Sequence, residues 1–261
     1  MSLPGEGDPL AVMKIHRRSN LLSPPGVMAA VLVLALCAGA ARSQRPEPRF
    51  EAERRAMVAD QIAARGIRDP LVLEAMSEVP RHLFVPPGLA DEAYIDAPLP
   101  IGEGQTISQP YVVALMTASL ALKGGEKVLE VGTGSGYQAA VLGRIAASVC
   151  TIEIHPALAR QAAATLERLG YANVRVRAGD GFFGWPEEAP FDAVIVTAAA
   201  PEVPPALFAQ LAEGGRLVLP LGDPASYQRL TLVTKRDGRP RSRVILDVRF
   251  VPMTGEIRKK K

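Results

Sequence analysis

Three glycines at alternate positions, Gly132, Gly134 and Gly136, follow the hydrophobic run Val128-Leu129-Glu130-Val131, which carries a single carboxylate. The pattern reads as a buried strand, a turn where a ligand can approach bare backbone, and a helix with an open N-terminus. A dinucleotide-binding turn needs the spacing G-x-G-x-x-G. Here Tyr137 stands where that pattern requires its third glycine. The spacing leans away from a nicotinamide cofactor and towards S-adenosylmethionine.

Two further acids, Glu153 and Asp180, follow later hydrophobic runs as Glu130 ends the first. In an open α/β sheet, ligands bind beyond the carboxyl ends of the strands. Glu153 is suited to ribose hydroxyls, because one carboxylate can accept from both members of a cis-diol. Asp180, next to Gly181, could accept from an adenine amino group. Glu130, beside the glycine turn, would favour a cationic ligand. Each acid alone is more often a helix cap or a solvated loop residue; three at successive strand ends carry more weight.

The elements that must position these groups follow from periodicity and punctuation. Phe50 to Ala64 has apolar residues at helical spacing and stops at Gly66. Asp69-Pro70 opens a second helix, as cap and first-turn proline, running to about Ser77. Pro80, Pro86 and Pro87 break the chain, and a loop of turn residues covers Asp96 to Pro110. A helix is expected over Tyr111–Leu122. Strands are expected at Lys127–Val131, Ser148–Glu153, Val174–Ala178, Phe191–Thr197 and Arg216–Pro220. Helices are expected between them at Tyr137–Ala147, Pro156–Leu169 and Pro204–Ala212, the last stopped by Gly214-Gly215. Arg229–Thr234 and Val244–Val251, around Asp237-Gly238, read as a closing hairpin. This alternation means an α/β fold: a Rossmann-like, mostly parallel twisted sheet with helices on both faces, an N-terminal helical extension and a C-terminal β-hairpin.

Composition bounds the function. The chain has 261 residues, 48% hydrophobic, enough for one sizeable domain with extensions. Net charge is +3 and aromatics are 5%, with no basic face interleaved with aromatics, so a nucleic-acid partner is not expected. His16, His82 and His155 are scattered and Cys37 and Cys150 stand in unlike settings, which argues against a metal centre and a disulfide framework. Residues 1–41 read as an export leader: basic around Lys14 to Arg18, apolar from Val27 to Ala41, with Ala38-Gly39-Ala40 as a cleavage pattern. The apolar stretch is short for a membrane span. A periplasmic location is therefore expected, with a cytoplasmic one as the alternative. The expected division is leader 1–41, linker 42–49, helical and substrate-loop region 50–122, cofactor-binding core 123–255 and basic tail 256–261.

Several blocks resemble the protein-L-isoaspartate O-methyltransferase family over about Met57 to Pro252. They are Val79-Pro80-Arg81-His82-Leu83-Phe84-Val85-Pro86, Pro98-Leu99-Pro100-Ile101-Gly102 and Gly104-Gln105-Thr106-Ile107-Ser108-Gln109-Pro110. The Leu129–Tyr137 turn, Gly179-Asp180-Gly181 and the stretch from Ala189-Pro190-Phe191-Asp192 to Thr197-Ala198-Ala199 complete them. The Gln105–Pro110 stretch is the most specific. The resemblance implies a class I S-adenosylmethionine-dependent methyltransferase that esterifies the α-carboxylate of L-isoaspartyl, and often D-aspartyl, residues in damaged proteins and peptides. The ester then closes to a succinimide, and hydrolysis restores part of the normal linkage. The resemblance also implies Ser108 as the active-site residue. It implies Gln105, Thr106, Ile107, Ser108, Glu130, Gly132, Glu153, Asp180 and Gly181 as the cofactor cradle; Gly134 and Gly136 join it as the other glycines of the turn, and a monomer is expected. A methyltransferase for small carboxylates or hydroxyls, and a catalytically idle cofactor-binding protein, are the competing readings.

The chemistry agrees with a chain that shows no obvious base. A terminal-type α-carboxylate has a pKa of about 3.3–3.9 and is ionised at neutral pH. What remains is alignment, worth about 7–11 kcal/mol in favourable cases. Ser108 lacks a G-x-S-x-G setting and should orient rather than attack. His82 reads as a hydrogen-bonded loop histidine, Tyr137 and Cys150 as packing residues, and the Phe182-Phe183-Trp185 group as a hydrophobic cover over the sheet edge.

Overall fold

The computed structural model describes residues 48–223 and 225–259. The leader, its cleavage pattern and Cys37 lie outside them. Seven strands form one sheet in the order β5-β4-β3-β6-β7-β8-β9. They are β3 (Lys127–Val131), β4 (Ser148–Glu153), β5 (Val174–Ala178), β6 (Phe191–Val196), β7 (Leu211–Leu221), β8 (Gln228–Arg236) and β9 (Arg239–Val248). The first five are mutually parallel. The last two return antiparallel as a hairpin. β3, β4 and β6 are buried almost throughout, which is why they read as continuous apolar runs rather than alternating ones.

Among the described residues six α-helices accompany the strands: α1 (Pro48–Ala56), α2 (Pro70–Glu78), α3 (Pro110–Ser119), α4 (Tyr137–Gly143), α5 (Pro156–Arg168) and α6 (Pro205–Ala209). α1 continues as a π-turn over Met57–Ile62 and a tight turn over Ala63–Arg65, then stops at Gly66, whose φ of 94° ends the winding as its sequence position predicts. Asp69 caps α2, accepting from the Leu71 and Val72 amides at 3.0 and 3.3 Å.

The segment expected as a loop over Asp96–Pro110 contains a small antiparallel ribbon instead, β1 (Leu99–Gly102) with β2 (Gln105–Ile107). Its strands are too short and too rich in glycine and proline to show a period. Helix α4 ends at Gly143, earlier than expected, and that glycine packs closely on Val174 and Tyr171, leaving no room for a side chain. Gly214 and Gly215 do not stop α6. That helix ends at Ala209, and the glycines fall inside β7, where the register with β6 shifts. Asp237 and Gly238 turn the β8–β9 hairpin with φ of 54° and 68°, the paired positive values of a two-residue turn.

Two hydrophobic clusters flank the sheet. One includes Val128, Val149, Ile195, Val218 and Leu230 with residues of α2, α3 and α4. The other includes Leu129, Cys150, Val194, Leu217 and Val233 with Phe182 and Leu207. Cys150 is buried as a core residue, and burial pushes its thiol up. His82 is also a packing residue, stacked on Phe50 at 4.1 Å and bonded to the Tyr94 hydroxyl at 2.8 Å.

Candidate active site

The chain order reverses at β3: β4 and β5 lie to one side and β6 and β7 to the other. The turns leaving β3 and β6 therefore diverge, and a crevice opens between them at the carboxyl ends. Gly132 begins the first turn with φ of 97°, and a Cβ there would strike the Thr197 hydroxyl. That hydroxyl donates to the Gly132 carbonyl at 2.7 Å, tying the turn after β3 to the end of β6. Gly134 (φ 55°) and Gly136 (φ 89°) complete a turn that a side chain would strain at each glycine.

A cleft opens on this crevice, lined by Gly132, Gly134, Glu153, His155, Gly181 and Thr197 among others. The segment from Val251 to Thr254 forms another wall. It is held there by paired backbone bonds between Ala199 and residues Val251 and Met253, each 2.8 Å. Glu153 is nearly buried, and each of its oxygens accepts one backbone amide: Gly134 at 2.8 Å and His155 at 2.9 Å. Each oxygen retains a lone pair for a further donor.

A second cleft adjoins the first through shared residues Thr106, Thr197 and Val251. Ser108, Gln109 and Tyr111 line it together with Leu246 to Phe250. Ser108 is half-buried there, and its hydroxyl forms no hydrogen bond with a described residue. Arg65 stacks over Tyr111 at 3.4 Å while pairing with Asp96 at 2.7 Å.

The structure distributes the sequence-predicted residues among several settings. Gln105, Thr106, Gly132, Gly134, Glu153 and Gly181 line the first cleft. Ser108 lies in the second. Ile107 turns its side chain into the core, and Gly136 packs against Leu166 and Ala162 of α5. Asp180 accepts from the Phe182 amide at 2.9 Å and the Glu256 amide at 2.7 Å, so both of its oxygens hold backbone. It borders a neighbouring hollow with Arg177 and Phe183.

Glu130 is fully buried beneath the glycine turn, outside the walls of the first cleft. Burial pushes its carboxyl up to about 8. The Thr151 hydroxyl nearby opposes that shift without reaching hydrogen-bond geometry. Thr197, His155 and the Val251–Thr254 segment were not singled out from the sequence as site residues. For Thr197 the signals were its strand-end position and its place in one of the blocks that resemble the family.

One buried cation supports the turn from below. The Arg81 guanidinium is wholly enclosed, donates from Nε to the Ala93 carbonyl at 2.7 Å and lies over the Tyr137 ring at 4.8 Å. Burial lowers it to about 10. The proline-rich segment is thereby fixed to the first residue of α4.

A parallel sheet reversing at β3, with a glycine turn and a strand-end carboxylate at the reversal, defines a Rossmann-like methyltransferase. Comparison with known proteins narrows the class. The family model described as Protein-L-isoaspartate(D-aspartate) O-methyltransferase (PCMT) matches residues 52–258, and the chain belongs to that family. It is 61% identical over 202 residues to protein-L-isoaspartate O-methyltransferase 2 of Shewanella sediminis, covering 77% of this chain and 83% of the relative. It is 55% identical over 226 residues to the corresponding protein of Opitutus terrae, covering 87% and 97%. A solved protein-L-isoaspartate O-methyltransferase superposes with a TM-score of 0.71 at 32% identity, covering 78% of this chain and 67% of that one. A Plasmodium falciparum chain described as a beta-aspartate methyltransferase, in complex with S-adenosyl-L-homocysteine, superposes with a TM-score of 0.67 at 28% identity, covering 77% and 98%.

Proposed function

We propose that the two joined clefts divide the labour of the family's reaction: the first holds S-adenosylmethionine and the second presents the isoaspartyl carboxylate. The enzyme is an S-adenosylmethionine-dependent protein carboxyl methyltransferase acting on L-isoaspartyl residues in damaged proteins. The first cleft suits the cofactor on its own geometry. Gly132, Gly134 and Gly181 line it and present bare backbone to a ligand, while close packing of Gly132 on Thr197 and of Gly181 on Val131 leaves no room for a side chain at either position. Glu153 has acceptor capacity left for ribose hydroxyls. When bound there, the cofactor supplies a methyl group already made electrophilic by the sulfonium.

The chain's own residues then have a limited task. Ser108 donates a hydrogen bond to the substrate carboxylate and fixes its angle of approach. Thr106 and Thr197, shared by both clefts, mark the point where oxygen and methyl carbon meet. The Val251–Thr254 segment screens that point from water. No residue needs to take a proton, because the attacking oxygen is anionic before it arrives. The observation that carries this reading is the continuity of the two clefts through Thr106, Thr197 and Val251, with Ser108 lining the second and not the first.

The test uses purified protein, methyl-tritiated S-adenosylmethionine and two peptides differing only in Asp linkage. Label released as methanol from the isoaspartyl peptide alone is the expected result. Equal labelling of both peptides, or none, rejects the assignment. D-aspartyl acceptance is tested by adding a peptide of that configuration.

We also propose that residues 1–41 direct export, on their basic and apolar pattern. N-terminal sequencing checks it: a mature start near Ala41 or Arg42 supports export, and an intact leader rejects it. No helix among the described residues is long and apolar enough to cross a membrane.

A further inference from the structure

Strand β9 ends the sheet, and its outer side is unpaired. Its sequence, Arg239-Pro240-Arg241-Ser242-Arg243-Val244, puts an arginine at every second residue, and all six positions are exposed. Alternate residues of a strand share a face. The register places Arg239 opposite Arg236, Arg241 opposite Thr234 and Arg243 opposite Leu232. Those β8 positions share a face with Leu230, which is registered with Leu246.

The β8–β9 register shifts between Leu230 and Thr231, leaving Ile245 as an extra residue in β9. That bulge changes the parity. The odd-numbered arginines and the even-numbered Leu246 and Val248 therefore lie on one face. Leu246 and Val248 line the second cleft, so the row of arginines leads straight to its mouth. At about 3.4 Å per residue, the row begins some 15 Å from Val248 and extends to about 30 Å.

None of the three arginines forms an ion pair with a described residue. The two acids of the hairpin, Asp237 and Asp247, stand at the turn and in register with Arg229. Edge strands often carry charge to block pairing with other chains. That purpose is served by charge on either face. Here the intervening positions, Pro240, Ser242 and Val244, are uncharged.

We propose that this row selects among isoaspartyl substrates, favouring extended segments with acidic side chains about four to eight residues from the damaged position. An extended peptide leaving the cleft along β9 presents its own alternate side chains at the spacing of the arginines. The inference rests on the second cleft being the substrate cleft.

Kinetics on three peptides sharing one isoaspartyl centre test it. One carries glutamates at positions four to eight on the N-terminal side, one on the C-terminal side, and the third glutamines in both places. At low salt the wild-type enzyme should show a KM on the order of tenfold lower for one of the glutamate peptides, with kcat unchanged. The preference should shrink severalfold in 0.5 M NaCl. The variant Arg239→Ser/Arg241→Ser/Arg243→Ser should lose the preference and keep its kinetics on the glutamine peptide. Equal wild-type KM values for all three peptides, or a triple variant that retains the preference, overturn the proposal. The wild-type comparison stands alone if the variant fails to fold. If no peptide is methylated, the substrate reading itself fails, which is a different result from equal methylation.

Discussion

Glu153 Oε2 accepts the Gly134 amide at 2.8 Å, so the carboxylate assigned to the ribose also fastens the middle of the glycine turn. Its other oxygen holds the His155 amide at the start of α5. One side chain at the end of β4 thus holds both the turn that follows β3 and the turn that follows its own strand.

Removing it should have two effects. Glu153→Ala leaves the Gly134 and His155 amides without their partner and the ribose without an acceptor. Hydrogen bonds to charged groups are worth about 1.5–3 kcal/mol, so cofactor affinity should fall at least tenfold, with a lowered Tm as well. Glu153→Gln offers only one acceptor oxygen and should fall between the two. Calorimetry showing wild-type affinity in the alanine variant removes Glu153 from the site.

Gly132 meets a steric limit as well as a conformational one. At φ of 97°, with the Thr197 hydroxyl against the position of a Cβ, Gly132→Ala must both strain the turn and displace Thr197. Strain of this kind costs about 1–3 kcal/mol. Cofactor binding should drop by more than tenfold. Adding Thr197→Ala should restore part of it, since the collision is relieved while the φ strain remains. Full recovery would show that the collision alone mattered, and no recovery that only the backbone did; thermal melts and titration calorimetry on the pair separate them.

The core of the fold was legible because burial on both faces gives β3 and β4 compact apolar or β-branched runs bounded by turn residues, while the edge strand β5 shows itself by alternating valine with arginine, and those three strands have the bounds their sequence implies. The β1–β2 ribbon was not legible, since Leu99–Ile107 owes its pairing to the Glu103-Gly104 turn and to packing of Leu99, Ile101 and Ile107 in the core. The glycine turn and the carboxylate after β4 could be placed at the crevice by motif. The role of Val251–Thr254 could not, because its bonds to Ala199 span some fifty residues and leave no local pattern. Glu130 looked like a ligand-facing acid from its place before the turn. Strand alternation sends it instead to the face shared with Val128, inside the core.

That burial has a pH signature. Glu130 is held near 8 in the folded protein, above its ordinary value of 4.5, because burial disfavours its charged form. The folded state therefore binds this proton more tightly than the unfolded chain does. The resulting stability is fully present below about pH 4.5 and is lost as pH rises through about 8. Glu130→Gln keeps the shape without the titration. Its Tm should gain on the wild type steadily between pH 5 and 8.5. Parallel Tm curves for the two proteins across that range would show that Glu130 is not the buried acid described.

Ser108 tests the central mechanism. Its hydroxyl faces the second cleft, uncommitted to any described residue, and it does not line the first. Ser108→Ala should therefore lower kcat/KM for the isoaspartyl peptide by about ten- to a hundredfold, the loss of one hydrogen bond to a charged group. Cofactor affinity should stay within about threefold, since the hydroxyl lies away from the Glu153 end. The pH profile supplies the second constraint. An acceptor carboxylate with a pKa below 4 is ionised throughout the neutral range, so turnover at saturating substrate should not climb between pH 6.5 and 9. Any fall near pH 8 belongs to Glu130 and should vanish in Glu130→Gln. A steep rise over that interval, persisting in both variants, would mean that some group must release a proton before methyl transfer, and alignment alone would no longer account for the rate.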